Sequence, residues 1–101
     1  MRAIVYHNTN NNAMFTAEPA DYDVLDYREV AKVELKYEMK IEVFLEKVFM
    51  MTNSIDSYWG DNEGVFCDGE YRSLSVGDVI HVLGHGKYMV AGCGFIALSR
   101  A

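Results

Sequence analysis

The sequence predicts an α+β fold: a small, curved, mainly antiparallel sheet or open barrel of about five strands, packed by one long amphipathic helix. Three observations lead there. Short runs rich in Ile, Val, Tyr and Phe recur between turn-forming residues, one stretch switches to helical spacing, and most of the strand-like runs follow one another through tight turns. Half of the 101 residues are hydrophobic, enough for one modest core, so residues 1–101 are expected to form a single domain.

Residues 2 to 7 read as a strand that ends at the Asn-rich stretch 8–12. Between Tyr27 and Tyr37 the odd positions carry Tyr27, Ala31, Val33, Leu35 and Tyr37, and the even ones Arg28, Lys32, Glu34 and Lys36. That alternation predicts a half-buried strand, with Val30 the exception. From about Glu38 the period changes, and Ile41, Phe44, Leu45, Val48 and Phe49 fall along one helical face. The helix is expected to end near Thr52 to Ser54, closed by Asn53 in the left-handed conformation.

Residues 53–70 favour a loop, with a short strand at Val65 to Cys67. Val79 to Leu83 is apolar on both faces, as a central strand requires. Gly84-His85-Gly86 supplies a turn and Lys87 to Ala91 the returning strand. Gly92 and Gly94 flank Cys93 at a bend, and Phe95 to Leu98 forms the last strand.

The formal net charge of −6 opposes approach to nucleic acid or to an anionic membrane, and a general phosphate-binding role is disfavoured. Cys67 and Cys93 have neither CxxC spacing nor the density of a disulfide-stapled secreted domain, so both are expected to be reduced. The opening residues turn polar at Asn8, no signal-peptide core forms, and no apolar run is long enough to span a bilayer. A cytoplasmic location is the expectation.

The run Tyr71-Arg72-Ser73-Leu74-Ser75-Val76-Gly77-Asp78-Val79-Ile80, followed by Tyr88, Val90 and Gly94-Phe95, resembles the YodL-like domain of bacterial mobile elements. Upstream, a helix running into Thr52-Asn53-Ser54-Ile55-Asp56, with Trp59 and Asn62 after it, is similar to small actinobacterial phage proteins that carry the same Arg-Ser-x-Ser-Val-Gly-Asp-Val element. The two together cover roughly residues 27–96. YodL-like sequences often have Ser where this chain has Gly77, which agrees better with the phage group. The resemblance implies a phage or mobile-element origin and an α+β fold, and brings no activity with it.

Within that element, Ser75-Val76-Gly77-Asp78 suits a tight turn feeding a strand. A guanidinium near a core needs a carboxylate, for which Asp78 and Asp56 are candidates. Two readings follow. Arg72 is a structural latch, or Asn53, Asp56, Trp59, Arg72, Ser73 and Asp78 gather at a groove that binds a ligand or partner, with Trp59 as apolar anchor.

Catalytic signatures are missing from the sequence. His81 and His85 have helical spacing but fall on a strand and its turn, and a zinc site with His7 and a cysteine would need distant segments. Asp56, Asp61, Glu63, Asp68 and Glu70 do not match an EF-hand loop and read as a solvated acidic stretch or partner-facing surface. Cys67 has no neighbouring base, and Gly84-His85-Gly86 precedes a strand where a phosphate loop needs a helix. No cofactor or metal is expected.

Met39, Val43 and Met50 form a second apolar strip opposite the first helix face, flanked by Lys40, Glu42, Glu46 and Lys47. Either the N-terminal segment with Met14, Phe15 and Pro19 covers this strip, or it contacts a host protein or a second copy of the chain in a homodimer. The leading expectation is a non-enzymatic accessory protein that contacts a host protein or itself. The rivals are a ligand-binding or enzymatic domain centred on Arg72, Trp59 and Asp78, and an acidic mimic of nucleic acid.

Overall fold

The computed structural model describes residues 1–9, 27–53, 63–67, 69 and 71–98. Among these, six strands and one helix follow in the order β1 (Arg2–Asn8), β2 (Tyr27–Glu34), α1 (Ile41–Met51), β3 (Val65–Cys67), β4 (Val79–Val82), β5 (Gly86–Val90) and β6 (Phe95–Ala97). They build one open sheet in the order β3-β2-β1-β4-β5-β6, with every neighbouring pair antiparallel. The α+β class holds. The strand count is six rather than about five, the sheet has β3 and β6 as edges, and the helix is 11 residues, which is not long.

Period-two alternation explains the two faces of the sheet. Ala3 and Val5 of β1 sit beside Val33 and Ala31 of β2 and Val82 and Ile80 of β4. These pairs form the floor on which Phe44, Leu45 and Val48 of α1 are buried. Burying each such side chain contributes about 1.5–3 kcal/mol. On the opposite face Val79, Met89 and Leu98 form a smaller cluster with Tyr6 and Tyr27 packed against it.

The exception at Val30 has a structural cause. Val5 pairs with Ala31 but Tyr6 pairs with Glu29, so Val30 is the additional residue of a β-bulge. Val30 and Ala31 are consecutive and both buried. The strand therefore changes phase, and Tyr27, expected on the same face as Ala31 and Val33, packs on the other side of the sheet. The strand also stops at Glu34, leaving Tyr37 77% exposed where alternation predicted an inward side chain.

The helix starts at Ile41, after Lys40, whose side chain makes no capping bond. Ile41 and Phe49 are half-buried beside the three buried residues, so the expected packing face is the packing face. Its end departs from expectation, because no described residue other than glycine has positive φ. Instead of a left-handed Asn53, two side chains satisfy the last carbonyls. Thr52 Oγ1 donates to Val48 O at 2.8 Å and Asn53 Nδ2 donates to Phe49 O at 2.8 Å.

Candidate functional site

Two places in the fold gather polar or exposed groups, one at each end of the sheet's central strands. The first is built on the turn before β4. Asp78 is fully buried and accepts hydrogen bonds on both carboxylate oxygens. Arg72 Nη1 donates to Oδ2 at 2.6 Å and Arg72 Nη2 to Oδ1 at 2.8 Å, a bidentate fork. The backbone N–H of Ser75 donates to Oδ2 and that of Asn8 to Oδ1, each at 2.8 Å. The bond to Asp78 raises the pKa of the Arg72 guanidinium above its ordinary value, which burial only partly opposes.

Further contacts tie the turn to its surroundings. Arg72 also donates to the carbonyls of Ser73 and Asn8 and to Ser75 Oγ. The Tyr27 hydroxyl donates to Gly77 O at 2.6 Å, and the Leu74 N–H donates to Thr52 O at the end of the helix. His7 is buried beside this cluster, with its ring edge-on to Tyr71. Burial pushes its pKa down to about 4; the nearby Asp78 charge opposes that shift and the Arg72 charge adds to it. The cluster joins β1, β2, the helix end and β4, and its carboxylate is occupied by the chain's own donors. Chemically it is a latch.

Of the residues the sequence assigned to a ligand groove, Asn53, Arg72, Ser73 and Asp78 meet at this end of the molecule, with Asn53 turned back onto the helix carbonyls. Asp56 and Trp59 lie outside the described residues, as do Met14, Phe15 and Pro19 and most of the acidic stretch. Among the described residues no group of three or more His, Cys, Asp or Glu could hold a metal ion. Neither Cys67 nor Cys93 is in a disulfide, and Cys67 Sγ donates to Val30 O at 3.3 Å. No described helix is long and apolar enough to cross a membrane.

The second place lies where β2 gives way to the segment leading into α1. An open groove of about 600 Å³ is lined by Glu34, Leu35, Lys36, Tyr37, Met39, Lys47, Glu63, Gly64 and Phe66. Its floor is fixed by a close backbone approach: Glu34 N–H donates to Gly64 O at 2.8 Å. Gly64 has φ +85°, and a Cβ there would stand 2.6 Å from Glu34 O, so only glycine fits. Phe66 points away from the helix face because it alternates with buried Val65 and is 60% exposed.

The second helix strip adjoins this groove but differs from its expected composition. Met39 precedes the helix, packs half-buried on the core, and its N–H donates to Met1 Sδ at 3.2 Å. Val43 and Met50 do lie on α1, 44% and 69% exposed. Lys47 stands four residues after Val43 and three before Met50, on the same helical face, and also lines the groove, so the strip borders the groove at Lys47. Sequence reasoning missed Leu35, Tyr37 and Phe66 as lining residues. Their one signal was large apolar groups beside charges at the ends of short strands.

Comparison with protein-family models, with curated proteins and with solved structures returned no match, so the chemistry of these two places rests on their geometry.

Proposed function

We infer that this chain is a non-enzymatic protein-interaction module that contacts its partner, a host protein or a second copy, through the groove and the adjoining helix strip. The phage or mobile-element origin implied by the Arg72 to Val79 element is part of the same proposal. One observation carries the reading: Tyr37 and Phe66 are exposed in the groove, and Val43 and Met50 are exposed on the helix face whose Lys47 borders it. Aromatic and Met side chains are enriched at interfaces because they supply contact area at low conformational cost, and Met adapts to its partner.

The rival centred on Arg72, Trp59 and Asp78 has less support. A general base or ligand contact needs an acceptor with room for a new partner, and Asp78 already takes four donors while having no exposed surface. Acidic mimicry needs extended rows of carboxylate, whereas the exposed Glu34, Glu38, Glu42 and Glu46 are interspersed with Lys32, Lys36, Lys40 and Lys47.

The test is capture of partners from the bacterium that carries the protein, including a differently tagged second copy. Wild type is compared with Tyr37→Ala/Phe66→Ala and with Val43→Lys/Met50→Lys, all checked for unchanged thermal midpoint. Loss of the captured species in both variants supports the reading. Capture at wild-type levels by both overturns it.

A further inference from the structure

The groove carries charges of both signs. Glu34 and Glu63 come from the segments joined by the Glu34–Gly64 hydrogen bond, Lys36 from the extended segment after β2, and Lys47 from the helix. None of the four forms an ion pair among the described residues, where Arg72–Asp78 is the salt bridge. Two carboxylates and two ammonium groups leave the groove electrically balanced on a chain whose net charge is −6.

That balance selects the occupant. A basic partner would be drawn to a carboxylate-rich surface and an acidic one to lysines, and each would leave two like charges facing it here. A second copy presents the same set. In a two-fold arrangement each surface patch meets its own equivalent, so the lysines of one copy can face the carboxylates of the other twice over. The two copies repel through their net charge, and a locally neutral patch is where they approach at least cost.

We propose that the groove is the two-fold interface of a homodimer. Lys36 and Lys47 of each copy face Glu34 and Glu63 of the other around an apolar centre made by Tyr37 and Phe66. This rests on the reading of the groove as a protein contact and names the partner.

The experiment is a charge swap followed by sedimentation velocity over a concentration series. Wild type is expected to show a concentration-dependent dimer. Lys36→Glu/Lys47→Glu and Glu34→Lys/Glu63→Lys each place like charges across the interface, and each is expected to weaken dimerisation by on the order of 100-fold or more. Mixing the two variants restores a dimer, now of one copy each. All four side chains are exposed or line open space, and circular dichroism checks that both variants fold.

A wild type that stays monomeric to its solubility limit overturns the dimer, as does a variant that still dimerises alone or a mixture that fails to pair. The broader reading fails separately. Monomeric wild type that still captures another protein, and loses it on Tyr37→Ala/Phe66→Ala, removes the dimer and keeps the interaction surface.

Discussion

The latch around Asp78 and the groove beside Gly64 sit on the same sheet and differ in what their polar groups face. At the latch a buried carboxylate takes four donors from within the chain, two of them from an Arg72 side chain that itself stays partly exposed. At the groove four charged side chains and two aromatic rings face outward. A saturated polar cluster rigidifies a fold, because each member would be costly to leave unpaired. Charges and rings that make no ion pair or ring contact among the described residues are open to a surface from outside. The contrast teaches that the most motif-like residues of this sequence hold it together, while its exposed groove is assembled from residues with no motif.

The contrast breaks most visibly at Asp78. Asp78→Ala leaves Arg72 and two backbone N–H groups without their acceptor, and chemical denaturation should show a loss of about 3–5 kcal/mol. Gly64→Ala attacks the groove floor, combining positive φ with a contact too close for a Cβ. It should cost about 1–3 kcal/mol, read from the same unfolding curve.

A pH series sharpens the comparison at the latch end. Unfolded His7 takes up its proton near its ordinary value of 6.5, folded His7 only near 4. Between those values the unfolded state binds more protons, so stability falls as pH is lowered through that window. Thermal midpoints measured from pH 7 to pH 4 should decline, and the decline should be shallower in His7→Gln. Smallest of all, Tyr37→Ala and Phe66→Ala should each change stability by no more than about 0.5 kcal/mol, because neither side chain supports the core.

Much of the fold is legible in the sequence where the determinants are local. The helical face from Ile41 to Phe49, the β4–β5 hairpin around Gly84-His85-Gly86 and the short strand at Val65 follow from spacing and turn chemistry. The partnership of Arg72 with Asp78 is also readable, since they stand six positions apart across a tight turn. Val30 showed that the alternation broke, but the bulge needs the register of the facing strand to be seen. The role of Asn8 in the latch and the groove itself were not readable, because each joins segments distant in the chain. Asn53 misled for a different reason: its side chain bonds a carbonyl directly, which removes the need for a left-handed backbone.

Strand order has a kinetic consequence. β1 lies between β2 and β4, so a strand early in the order of elements occupies the middle of the finished sheet. The β4-β5-β6 meander can zip up from neighbouring residues, but joining it to β1 closes a separation of 70 residues, as between Asn8 and Asp78. Such long-range closure is entropically slow. Until β4 has been synthesised, one edge of β1 lacks the partner it has in the finished sheet, and the two halves of the sheet cannot join before then.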